Sequence, residues 1–185
     1  MSSLARAFVA IRPPGRVLDE LETAANDLHA RFAGARWLPR DTWHLTLRFL
    51  GRVDDAEALA ERLTALRGHP TVTLRLGGVG AFPTSSRARV LWVGCSEGSA
   101  GFTRLADLVE RAVAPLGFGP PDHPARPHVS IARFGPPQDL RRALDDVELG
   151  TVGESWTAGS VGLYRSTTRA EGAVHTEVAS FRLGR

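Results

Sequence analysis

The chain has 185 residues, 43% of them apolar, a formal net charge of +3, and a single cysteine, which suits one compact domain spanning 1–185 or two small lobes sharing a core. All 23 basic residues are arginine, so a lysyl-nucleotide intermediate, a lysine Schiff base and a P-loop lysine are excluded. Cys95 alone leaves no intramolecular disulfide and fits a reducing compartment, and no apolar run reaches the length of a membrane span. The opening MSSLARAFVAIRPPG carries no signal-peptide cleavage pattern and reads as a first strand, so a cytoplasmic protein without a membrane partner is expected. The modest positive charge permits an RNA substrate but falls short of a protein that coats DNA, and no DNA partner is expected.

In chain order, RAFVAI (6–11) reads as a strand ended by Pro13-Pro14-Gly15. Leu18, Leu21, Ala25, Leu28 and Phe32 then recur at helical spacing, with Gly34 placed to stop the helix. WHLTLRFL (43–50) alternates as a half-buried strand that Gly51 is expected to close. A second helix is predicted over 55–66, with Asp54 and Glu57 resembling a capping box. TVTLRL (71–76) is a strand running into a glycine-rich turn or bulge, and RARVLWVG (87–94) is a central strand. A third helix is predicted over 101–116, and a proline-rich connector (117–127) leads into the strand HVSIARF (128–134). A short helix over 138–144 and two late strands, near 159–164 and 173–183, complete an α+β pattern.

The informative feature is a near-repeat: residues 44–51 read HLTLRFLG and residues 128–135 read HVSIARFG. Alternate side chains of a strand share a face. His44 and Thr46 therefore point one way while Leu45 and Leu47 enter the core, and His128 with Ser130 repeats the arrangement opposite Val129 and Ile131. Two such strands side by side would set two imidazoles and two hydroxyls around one pocket. One neutral imidazole can take a proton from water while the other, protonated, supplies one to a departing oxygen. The hydroxyls can hold the non-bridging oxygens of a phosphate. That set needs neither metal nor cofactor.

The paired HLTL and HVSI motifs resemble those of the two-histidine (2H) phosphoesterase superfamily, and more narrowly the bacterial RNA 2′,3′-cyclic phosphodiesterases, formerly called 2′-5′ RNA ligases. RAFVAIRPP, RWLPRDTWHLTLRFLG, GVGAFPTSSRARVLWVG, ARPHVSIARFG and LYRSTTRAEGAVHTEVASFRL extend the resemblance over nearly the whole chain. The resemblance implies a bilobed fold with pseudo-twofold symmetry, each lobe offering one H-x-[TS] motif to a central cleft. It further implies hydrolysis of RNA-terminal or nucleoside 2′,3′-cyclic phosphates to 2′-phosphomonoesters, with His44 as general acid and His128 as general base. Thr46, Ser130 and Arg133 match the family's phosphate-binding positions, Ser130 standing where threonine is commoner.

Strict alternation puts Arg133 on the face opposite His128, so either the strand bulges or Arg133 supports the site from behind. Arg48 has the parity to face the cleft with His44 and is a further phosphate contact by this reading. His29, His69, His123 and His175 have no matching partner motif, and Asp122 with His123 and His128 makes a poor zinc set. Trp43 and Trp92 are expected in the core, while Phe82 is open. Two other functions fit the same residues: ATP-independent 2′-5′ RNA joining by the same two histidines, and a non-catalytic nucleotide- or RNA-binding module. A monomer is expected.

Overall fold

The computed structural model describes residues 3–170 and 172–184. Its strands are β1 (Leu4–Ile11), β2 (Arg36–Trp37), β3 (Leu45–Val53), β4 (Val72–Phe82), β5 (Ala88–Glu97), β6 (His128–Gln138), β7 (Thr151–Ala158), β8 (Ser160–Arg169) and β9 (Gly172–Arg182). The helices are α1 (Gly15–Leu28), α2 (Ala56–Leu63), α3 (Ser99–Val113) and α4 (Arg141–Asp145). All nine strands join one sheet in the order β7-β4-β5-β6-β3-β1-β8-β9, with β2 also on β6. Every pairing is antiparallel.

The order is symmetric about its middle. β6 and β3 meet there through the single pair Leu45↔Val129, and three strands lie outward on each side. The helices cross this seam: α1, which follows β1, packs on β7 of the other half, and α3, which follows β5, packs on β3. Their buried faces, among them Leu18, Leu21, Phe102 and Leu105, join Val9, Ile11, Leu45, Val93 and Val129 in one core on one side of the sheet. Phe8, Ala10 and Tyr164 form a separate small cluster. Phe8 and Ala10 alternate with the core residues Ala7, Val9 and Ile11, which places that cluster on the other face of the sheet.

Several elements depart from the sequence expectation, each for a local reason. β3 does not end at Gly51; it continues to Val53, with Gly51 at φ +68° inside a register shift against β1. β6 likewise passes Gly135. α1 stops at Leu28, and Phe32 reaches the core from the turn beyond. α2 is capped by Asp55, not Asp54: its carboxylate accepts from the backbone N–H of Glu57 (3.1 Å) and Ala58 (3.0 Å). The helix then tightens to 3₁₀ geometry over Thr64–Leu66, as the end of α3 does over Ala114–Leu116. The glycine run 77–80 is a bulge within β4, where Gly78 takes φ +69°. β2 and β7 carry no predicted counterpart.

Candidate active site

His44 stands one residue before β3 and His128 opens β6. The antiparallel pair Leu45↔Val129 fixes their relation. Its two side chains are fully buried, so the flanking residues His44, Thr46, His128 and Ser130 all emerge on the opposite face. In that register His44 lies across from Ser130, and Thr46 across from His128. The two imidazoles are thus diagonal neighbours, on backbones about 7–8 Å apart, the spacing typical of such pairs.

Both rings are held the same way. His44 Nδ1 lies 2.6 Å from the carbonyl oxygen of Thr42, and His128 Nδ1 lies 2.7 Å from that of Arg126, in each case two residues back. A carbonyl can only accept, so each Nδ1 carries the proton and donates it. Each Nε2 is thereby left as a lone pair when the ring is neutral and as an acid when it is charged. Burial holds both imidazoles below the usual histidine range, His44 down to about 4, despite the opposing pull of the backbone carbonyl. His175, His128 and Arg12 add positive charge near His44 and push it the same way.

Aromatic rings brace each histidine. Phe8 stacks on His44 at 4.5 Å between centroids and on Tyr164 at 5.3 Å, and the edge of His175 meets His44 at 5.1 Å. On the other side Phe82 meets His128 edge-on at 4.9 Å and Trp92 lies 6.1 Å away. The bracing strands correspond: Phe8 and Tyr164 come from β1 and β8, Trp92 and Phe82 from β5 and β4. Trp92 is therefore not a core residue, contrary to expectation. It is half-buried on the cleft face, with the Arg126 guanidinium 5.3 Å above its ring and Gly80 beneath, where a Cβ would lie 2.3 Å from the indole. Trp43 is in the core as expected.

Thr46, His128, Ser130 and Arg133 line one cleft of about 680 Å³, bounded by the connector residues Pro121–Arg126. Arg133 reaches it through a bulge. Trp92 pairs with Ser130 but Leu91 pairs with Ala132, so β6 carries one extra residue. Ile131 and Ala132 are both buried in succession, and Arg133 returns to the face of His128. Burial and the neighbouring Arg36 and Arg6 hold its pKa below the usual arginine value.

The same device acts in β3 and redirects Arg48. Thr46 pairs with Ala10, but Arg48 pairs with Val9 and Phe49 with Phe8. Arg48 touches the cleft rim, yet its guanidinium is bound to the Glu110 carboxylate of α3 (Nε–Oε2 2.8 Å) and the Gly119 carbonyl, fastening the connector to the sheet. His123 also lines the cleft, and His175 braces His44; neither had a partner motif in the sequence. His29 lies against Trp37, and His69 in a separate crevice beside α3. Cys95 is half-buried, its thiol pushed up to about 12 by burial. Among the described residues no group of three or more His, Cys, Asp or Glu side chains could hold a metal ion, and no helix is long and apolar enough to cross a membrane.

Residues 12–170 match the model of the 2′-5′ RNA ligase superfamily. The chain belongs to that family, whose members are 2H phosphoesterases. It is similar to the RNA 2′,3′-cyclic phosphodiesterase of Aeropyrum pernix, with 35% identity over 73% of this chain and 78% of the relative. The RNA 2′,3′-cyclic phosphodiesterase of Aquifex aeolicus is 30% identical over 97% of each chain. Escherichia coli LigT, solved in apo form, superposes with a TM-score of 0.79 at 25% identity over 100% of both chains. LigT has also been solved with phosphate and with 3′-AMP. The bilobed α+β arrangement of a 2H phosphoesterase is thus the fold of this chain.

Proposed function

We propose that this protein is a 2′,3′-cyclic phosphodiesterase that opens the cyclic phosphate at RNA ends by metal-independent acid–base catalysis with His44 and His128. The observation that carries this reading is the matched pair of Nδ1–H bonds to the carbonyls of Thr42 and Arg126, which frees each Nε2 for proton exchange on two rings that the pair Leu45↔Val129 sets on one face of adjacent strands. A phosphate seated between them is attacked by water on one side and loses an alkoxide on the other. His128 Nε2 accepts the water proton as the new P–O bond forms. The P–O3′ bond breaks, and His44 Nε2–H donates to the departing 3′ oxygen, leaving a 2′-phosphomonoester. Thr46 and Ser130 hydroxyls donate to the non-bridging oxygens, and Arg133 supplies a full positive charge to them.

In the free protein burial lowers His44 to about 4, so its part as the acid depends on the bound phosphate favouring the charged ring. Each imidazole's charge disfavours the other's, so the pair favours one proton over two. The bound phosphate anion raises the pKa of the acid, while desolvation keeps the base neutral. Nothing in the step needs a cofactor, and the cytoplasm, where RNA ends are processed, suits a chain with one cysteine. The monomeric state remains part of this proposal.

The test is incubation of the protein with an RNA oligomer ending in a 2′,3′-cyclic phosphate, in EDTA, beside the His44→Ala and His128→Ala variants. A 2′-phosphate formed by the wild type and lost in both variants is expected. A 3′-phosphate would reverse the direction of ring opening. Tight binding without turnover would identify a binding module instead. A 5′-hydroxyl RNA added without ATP reads out joining in the same tube, since that hydroxyl could replace water.

A further inference from the structure

β2 is two residues long and pairs with β6 alone, through Arg36↔Arg133 and Trp37↔Ala132. The backbone N–H of Leu38 adds a bond of 2.9 Å to the carbonyl of Ile131. Trp37 turns to the helix side of the sheet, where it meets His29 beyond α1. Arg36 therefore points the other way, onto the face that Arg133 shares with His128. Residues directly opposite in a ladder carry their side chains next to each other. Two guanidiniums thus rise from adjacent strands at the edge of the cleft, both exposed.

Like charges set directly opposite each other in a sheet are destabilising. Arg6 of β1 adds a third positive charge close enough to act on Arg133. Among the described residues none of these three arginines has a carboxylate within ion-pair distance. The other arginines of the cleft are engaged: Arg48 is bound to Glu110, Arg89 donates to the Gly135 carbonyl, and Arg126 lies over Trp92. A cyclic phosphate carries one negative charge, which Arg133 can meet alone. It leaves Arg36 uncompensated. A ligand with a second phosphate, one nucleotide along the same backbone, answers both guanidiniums and removes the repulsion between them.

We infer that Arg36 binds the phosphate on the 5′ side of the terminal nucleotide while Arg133 holds the cyclic phosphate, so that the protein selects ends carrying both over nucleoside cyclic phosphates carrying one. The inference rests on the phosphodiesterase reading above. The short strand β2 has a use in this account: it fixes the second guanidinium in register with the first. A phosphate contact of this kind reads the backbone and not the base, so the selection is for chain ends of any sequence.

The test compares adenosine 2′,3′-cyclic phosphate with its 5′-phosphorylated form and with the dinucleotide adenylyl-adenosine 2′,3′-cyclic phosphate, using wild type, Arg36→Gln and Arg36→Lys. One hydrogen-bonded contact to a charged group corresponds to roughly 10-fold. Wild-type kcat/KM should be higher by about that factor for both substrates with two phosphates. In Arg36→Gln the ratio of either to the one-phosphate substrate should fall roughly 10-fold, and Arg36→Lys should recover part of it. The slope of log kcat/KM against log salt, on the dinucleotide, should be shallower in Arg36→Gln by about 0.7. Each ratio is taken within one variant, so a general loss of folded protein cancels. A wild type indifferent to the second phosphate, or a ratio unchanged in Arg36→Gln, would overturn the inference and leave the phosphodiesterase reading standing. A preference confined to the dinucleotide would assign it to the added nucleoside and overturn it as well. Wild type inert toward all three substrates would remove both.

Discussion

Acid should destabilise this fold earlier than its carboxylates alone would dictate, and His44 should be a principal cause. In the folded state burial brings the His44 pKa down to about 4, while in the unfolded chain it returns to the reference of 6.5. Between those values the unfolded state binds a proton that the native state does not. The associated stability is fully present above the unfolded pKa and is lost as pH falls through the folded one. Linkage gives a loss of about 2 kcal/mol at pH 5 and about 3 kcal/mol at pH 4 from this residue. His128 and His175 are shifted the same way by burial and add to the slope. The assay is urea unfolding at pH 7.5 and pH 5.0 for wild type and His44→Phe, whose ring retains the stack on Phe8 but does not titrate. The wild type should lose about 2 kcal/mol more than the variant between those pH values. Equal losses, with equal denaturant slopes, would mean that His44 is not held neutral by burial.

Arg133→Lys should lower kcat/KM roughly 10-fold or more, because a point charge replaces a fork on the phosphate, while Arg48→Ala should mainly lower the urea midpoint by loosening the connector from β3; steady-state kinetics and unfolding on both variants separate the two roles. Asp55→Ala should cost about 1 kcal/mol of stability by removing the α2 cap, and Asp54→Ala almost nothing, read as midpoint shifts in urea. Gly80→Ala should push the Trp92 ring off its seat against His128, altering tryptophan fluorescence and reducing kcat/KM, whereas Gly135→Ala, where a Cβ meets nothing within 4 Å, should do neither.

The placement of His44 and His128 on one face of adjacent strands was legible because its signal is local and doubled. Alternation across Leu45 and Val129 determines which side chains leave the core, and that needs only the period of a strand. What alternation could not resolve lies just beyond a bulge. Two consecutive apolar residues, Ile131 and Ala132, break the period before Arg133, but a buried strand carries such pairs without bulging, so both orientations stayed open. In β3 the bulge sends Arg48 toward Glu110 and brings Phe49 to the cleft, the reverse of simple parity. Trp92 failed for a different reason. β5 is covered on both faces, by helices on one and by the cleft aromatics on the other, so an unbroken apolar run does not say which face is the site. His175 is tied to His44 only by the pairing of the late strands with β1, a contact between residues far apart in the chain. The cap of α2 moved by one residue because Asp54 and Asp55 are adjacent and chemically equivalent.

The central claim is that two imidazoles in one cleft divide proton acceptance and proton donation. Its most direct measurement is kcat against pH, which reports the ionisations of the substrate complex, on an RNA 2′,3′-cyclic phosphate in EDTA, for wild type, His44→Ala and His128→Ala. The wild type should give a bell, and each variant should fall roughly 10²- to 10⁴-fold. His128→Ala should lose the acidic limb, which reports the base, and His44→Ala the alkaline limb, which reports the acid. Variants that keep both limbs, or a wild-type activity abolished by EDTA and restored by a divalent metal, would contradict the account.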